Sequence, residues 1–233
     1  MKLRIPFINR HRYIVLKSYT FNKFVHENSP LVMSKNIKKE SFCPSKSIGD
    51  RFSNGFNTCY GYIKSLDVSI TIPAWTEFRI KSDNNNFGYM FPGSSLSQAD
   101  SVNDPEYTPP KDQFMSKLLV PWMLEANRNV KFVMAKHPLN MTNMNTITGV
   151  VSFYNGMHSP HIFNGIPKNS DFIVPFSTPL VSLFPLSELP IYLKTEYNKD
   201  MFNTLFEAQS LGRNYIKGAC LKNDRLNKKK ELL

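Results

Sequence analysis

Between residues 58 and 82 polar and apolar positions alternate. Ser69-Ile70-Thr71-Ile72 and Glu77-Phe78-Arg79-Ile80 each turn one apolar face inward at a period of two. The whole 58–82 stretch reads as the first dense β region. Pro73 falls at a strand end or sheet edge, where its missing backbone donor does no harm. A strand is also predicted near 13–19, and further strands at 118–123, 130–135, 147–153, 171–174, 180–184 and 191–194. Many short strands with turns between them point to a sandwich or barrel.

Two regions break the pattern. Residues 82–113 are polar and turn-rich, with Ser82-Asp83-Asn84-Asn85-Asn86, Asn103-Asp104-Pro105 and Pro109-Pro110, and read as one long loop. From 198 to 215 the period lengthens. Met201, Phe202, Leu205 and Phe206 recur at helical spacing behind Asn198, a good N-cap residue, which predicts a helix packed on the sheet. The expected fold is mainly β, an antiparallel β-sandwich or barrel of β-clip or jelly-roll type. Residues 1–42 form an extended basic N-terminal arm, 43–196 the β domain, and 197–233 a C-terminal helix and basic tail.

Charge sharpens this division. The chain carries 29 basic and 18 acidic side chains, a net +11. Residues 1–26 contribute +6 with no acidic group, residues 213–233 contribute +5, and 27–212 sum to zero. The excess at the two ends marks Arg4, Arg10, Arg12, Lys17, Arg213, Lys217, Lys222, Arg225, Lys228, Lys229 and Lys230 as interaction-arm residues, suited to an acidic protein surface or to DNA.

The three cysteines, Cys43, Cys59 and Cys220, include no CxxC pair, which predicts a reducing compartment rather than a disulfide framework. Residues 1–16 scatter charges through their length and do not read as a secretory leader. The longest apolar stretch, 172–186, is interrupted by Pro175, Pro179 and Pro185 and is too short to span a bilayer. The expectation is no membrane association and synthesis in a cytoplasm.

Catalytic patterns are weak. Of the five histidines only His158 and His161 are close. Pro160 between them opposes a helix that would bring them together, and on a strand they would face opposite ways. No histidine has a carboxylate two residues on, as iron facial triads commonly do. There is no GxSxG elbow, P-loop or GxGxxG. Pro92-Gly93-Ser94-Ser95 reads as a turn. Arg10-His11-Arg12-Tyr13 and Arg213-Asn214-Tyr215-Ile216-Lys217 interleave basic and aromatic residues as phosphate-contacting segments do, without a zinc-finger or RNP pattern. No cofactor and no catalytic or metal-ligating residue is assigned. Trp75 and Trp122, near prolines and among apolar neighbours, are the expected structural anchors.

Thr58-Cys59-Tyr60-Gly61-Tyr62-Ile63, Ile72-Pro73-Ala74-Trp75-Thr76-Glu77-Phe78, Pro121-Trp122-Met123, Val130-Lys131-Phe132, Pro138-Leu139-Asn140, Gly149-Val150-Val151 and Thr178-Pro179-Leu180-Val181-Ser182-Leu183-Phe184-Pro185-Leu186-Ser187 occur in that order. Together they resemble an uncharacterised family of tailed-phage proteins, especially from phages of marine bacteria. That resemblance implies a phage source. Residues 149–156 with Thr178-Pro179-Leu180-Val181 also resemble the β-clip core of deoxyuridine triphosphatases. There Ser152 stands where those enzymes carry an aspartate, and their Gly-rich phosphate-binding tail is missing, so the scaffold is implied without its hydrolysis.

The function expected is a non-enzymatic structural or assembly protein of a virion, in capsid or tail. Its β domain would pack against other virion proteins in an oligomeric assembly, and its arms would make non-specific DNA contact. Two alternatives are a β-barrel enzyme for a small molecule or nucleotide, with Trp75, Trp122, Tyr154 and the histidines lining its pocket, and a phage protein that engages a host target.

Overall fold

Ile14–Thr20 alternates as its sequence demands. Ile14, Leu16, Ser18 and Thr20 are buried, while Val15, Lys17 and Tyr19 lie toward the outside. This strand, β1, begins the part of the chain that the computed structural model describes, namely residues 13–37, 60–93, 97–99 and 110–199. Asn22 then caps the helix α1 (Lys23–Asn28), its side chain accepting the Val25 N–H at 3.1 Å. β2 (Val32–Met33), a 3-10 turn (Ser34–Asn36) and the helix α2 (Tyr60–Val68) follow. The remaining strands are β3 (Ile70–Pro73), β4 (Phe78–Ser82), β5 (Phe87–Met90), β6 (Ser97–Ala99), β7 (Gln113–Leu119), β8 (Met123–Ala126), β9 (Lys131–Lys136), β10 (Asn145–Thr146), β11 (Gly149–Ser152), β12 (His161–Pro167), β13 (Asp171–Val174), β14 (Pro179–Pro185) and β15 (Ile191–Tyr197).

The described residues are mainly β, with 50% of them in strands and 10% in helices. Four sheets run in the orders β15-β1-β8, β10-β12-β7, β11-β9-β14-β3-β2 and β13-β4-β5-β6. Their ladders are antiparallel except one: β1 and β15 pair in parallel over seven residues, from Ile14 opposite Ile191 to Thr20 opposite Tyr197. Among the described residues the strands do not close into a barrel, which corrects that form of the expectation.

One cluster of buried apolar side chains draws on all four sheets, through Ile14 and Leu124, Leu118 and Ile162, Phe132 and Leu183, and Phe78 and Ile80. Full burial of each such side chain contributes roughly 1.5–3 kcal/mol. β3 and β14 are covered on both faces. Ile70 and Ile72 join the core, while Thr71 faces the other way. There the Thr71 and Ser34 hydroxyls bond at 2.7 Å, and Ser69 donates to Ser34 Oγ at 2.8 Å. On this second buried face Ser34, Ser69 and Thr71 satisfy one another, while Ser182, opposite Thr71 on β14, leaves its hydroxyl without a partner.

Three further expectations change. The 58–82 region opens with α2, not a strand. The segment 82–113 contains β5 and β6, which hairpin onto β4, so it is not one long loop. Residues 14–37 of the expected arm belong to the folded body, with Ile14, Leu16, Val25 and Leu31 in its core. The predicted helix at 198–215 and the basic tail lie outside the described residues, apart from Asn198 and Lys199.

Candidate functional site

The sheet β15-β1-β8 lies where the folded body meets both charged ends. Its outer face is built by register: Tyr192 beside Val15, Lys194 beside Lys17 and Glu125, Glu196 beside Tyr19 and Met123. Lys17 pairs with Glu125 at 3.8 Å, and Lys194 pairs with Glu196 two positions along its own strand. The Tyr19 hydroxyl donates to Glu125 at 3.3 Å, and burial raises its pKa. This face therefore mixes two cations, two anions and tyrosine rings, with Tyr192 well exposed. Because β1 and β15 run in parallel, the described chain starts, at Tyr13, at one end of the sheet and stops, at Lys199, at the other. Six steps of about 3.3 Å put these ends about 20 Å apart.

A cavity of about 570 Å³ opens elsewhere, over the β2 edge of the five-stranded sheet. Pro30, Pro73, Pro175, Pro179 and Phe176 form much of its wall, and Thr71 reaches it from the hydroxyl-lined face. The turn beneath is held by Ser177, whose φ of 65° is left-handed, and by the Ser177 N–H and Thr178 carbonyl bonding Ala74 at 2.9 and 2.8 Å. Among the described residues no charged side chain lines the cavity, and its proline-rich wall suits an uncharged apolar group rather than a phosphate or carboxylate. Its Pro175-Phe176-Ser177-Thr178-Pro179 wall is a proline-bounded turn that by itself announces no cavity.

The histidines are dispersed. His137 is buried after β9, where its Nδ1 accepts the Leu139 N–H at 3.0 Å and its Nε2 has no partner. Burial pushes its pKa down to about 4. His158 exchanges backbone bonds with Leu124 at 2.9 Å, and burial lowers its pKa. His161 opens β12 opposite Leu119, and burial, aided by Lys117, takes it down to about 4. All three favour the neutral form. Among the described residues no group of three His, Cys, Asp or Glu is placed to hold a metal ion. Beside His137, Lys136 donates to the carbonyls of Thr142 and Met144 at 2.9 and 3.0 Å, which ties down the 137–144 loop.

Trp75 and Trp122 meet edge to face with centroids 6.2 Å apart. Trp122 is fully buried, while the half-buried Trp75 stacks on Phe91 at 6.3 Å. They anchor an aromatic cluster that continues through Phe78 and Tyr89. Neither lines the cavity above, nor do Tyr154 and His158. Ser152 is exposed at the end of β11. The two β-clip-like segments fall on β11 and β14, on either side of β9 in one sheet.

Of the predicted arm residues the structure describes Lys17 alone. Arg4, Arg10, Arg12, Arg213, Lys217, Lys222, Arg225, Lys228, Lys229 and Lys230 lie outside the described residues, as do the three cysteines. The described residues hold fourteen basic and nine acidic side chains, a net +5. Among the described residues no helix is long and apolar enough to cross a membrane. No family model, curated protein or solved structure matches the chain.

Proposed function

We propose that the chain is a non-enzymatic structural or assembly protein of a bacteriophage virion. In this reading the body is a β-sandwich of jelly-roll or β-clip type that packs against other subunits, and the basic ends contact acidic protein surface or DNA. The observation that carries it is the placement of charge relative to the fold. Residues 1–12 hold four cations and lead into Tyr13 at one end of a single sheet, while 213–233 hold a net +5 and follow in the chain, after thirteen further residues, from Lys199 at its other end. Two cationic segments at the two ends of one chain suit contact with two neighbours, or with an extended polyanion, at once. The tailed-phage resemblance of residues 58–196 supports a virion as the setting, with synthesis in the host cytoplasm.

The test has two arms. Mass spectrometry of purified virions should detect the chain at stoichiometric abundance, and its absence would end the virion reading. Full-length protein should bind duplex DNA or an acidic protein surface with an affinity that falls steeply with salt, by counterion release. A chain lacking 1–12 and 213–233 should lose that dependence while still unfolding cooperatively. Unchanged binding by the truncated chain would remove the arms from the mechanism.

A further inference from the structure

β15 and β7 are the two long strands at sheet edges, seven residues each, while the other edge strands have two to four. Met115 and Lys117 of β7 already hold further interactions. β15 pairs with β1 along one side, and among the described residues no strand pairs with its other side. Natural edges are guarded by proline, glycine bulges, irregular pairing or unopposed charge. Ile191–Tyr197 has no proline or glycine, and its register with β1 runs unbroken. Its charges, Lys194 and Glu196, are opposite in sign, two positions apart, and on the same outer face.

That spacing is self-complementary. We propose that the body pairs with a second copy of itself through the free edge of β15, antiparallel, with Thr195 on the two-fold axis. Thr195 then faces its own copy, Lys194 faces Glu196 and Glu196 faces Lys194 across the axis. Leu193 faces Tyr197, covering rings and methyls that the single copy leaves partly open. Cross-strand threonine pairs, opposite charges and apolar–aromatic pairs are each favourable in antiparallel sheets. Side chains keep to their own face only if the axis falls on a residue. Moving it by one residue sets Lys194 against Lys194 or Glu196 against Glu196, and both are repulsive. The register is thus selected by charge, and the three-stranded sheets join as β8-β1-β15-β15-β1-β8.

The pairing deepens the assembly reading and rests on it, by supplying a subunit contact. It also brings Lys199 of one copy alongside Ile191 of the other, and so near the start of the other copy's β1. Each side of the dimer then brings Tyr13 of one copy near Lys199 of the other, where in the single copy these two residues lie about 20 Å apart.

The test uses full-length protein and sedimentation equilibrium, with circular dichroism to verify folding. A dimer is expected at micromolar concentration. Glu196→Lys and Lys194→Glu each place like charges opposite one another twice, and each should weaken the dimer by roughly tenfold or more. The double variant Lys194→Glu with Glu196→Lys restores opposite pairs and should return dimer stability to near the parent value. A chain monomeric at about 100 µM, a concentration that captures even weak self-association, would overturn the pairing. So would single variants that leave the dimer intact, or a double variant no better than the singles. A monomer that still binds polyanions through its ends would overturn the pairing and leave the assembly reading standing. A charge-rescued dimer whose binding ignores the terminal truncations would do the reverse.

Discussion

Lowering the pH should destabilise this protein, in good part through one buried histidine. His137 is 1% exposed, its Nδ1 is occupied by the Leu139 N–H, and its Nε2 has no partner. Burial takes its pKa from 6.5 in the unfolded chain to about 4 in the fold. The fold binds the proton less well than the unfolded chain does, so the associated stability is complete above pH 6.5. It drains away as pH falls toward 4. At 1.36 kcal/mol per unit, the loss is about 2 kcal/mol by pH 5 and about 3 kcal/mol below pH 4. His161, also taken down to about 4, adds a smaller contribution because it is partly solvent-screened. The comparison variant is His137→Asn, whose Oδ1 can accept the same N–H two residues on, as asparagine does in turns. Urea unfolding at neutral pH and near pH 5 should show the parent losing about 2 kcal/mol more than the variant. Equal losses in the two proteins would refute a neutral buried imidazole at this position.

Two further outcomes follow from the core. Ser182 Oγ is fully buried on β14 without a partner, so Ser182→Ala should raise stability by about 1 kcal/mol in urea melts, since an unmet hydroxyl is removed with little change of volume. Trp122→Ala should cost about 3–5 kcal/mol by the same assay. It should also shift the emission of Trp75, whose ring lies edge to face with the lost indole.

Strand positions with clean alternation were readable in the sequence. Phe78, Ile80 and the 171–174 run lie where the sequence placed them, and β1 is shifted by one residue from the expected 13–19 to Ile14–Thr20. The misses have local causes. Tyr60, Tyr62 and Ile63 are strand-favouring residue types, yet Tyr62, Ile63 and Leu66 also stand at helical spacing, and the helix prevails there. β12 was missed because Asn164 occupies a fully buried slot between Ile162 and Ile166, which broke the apolar alternation. It is tolerated because Thr146 Oγ1 donates to its Oδ1 at 2.9 Å. β5 was masked by the asparagine-rich turn before it and Pro92-Gly93 after it. The cavity was not legible because residues 29–37, 71–73 and 175–179 meet only in three dimensions. Nor was the outer face of β15: the alternation of Lys194, Thr195 and Glu196 is present in the sequence, but its being an edge is a property of topology.

The parallel ladder between β1 and β15 also imposes an order of events on synthesis. Ile14 and Ile191 are separated by 177 positions, so β1, the first described strand to leave the ribosome, receives its β15 neighbour only when the last described strand emerges. Antiparallel β8 reaches β1 much earlier and can hold it on one side. Such a distant contact closes slowly and late, because the intervening loop must be ordered first. Until it closes, one flank of β1 lies bare, and a nascent chain halted before residue 191 presents that flank to whatever chaperone or strand is nearby.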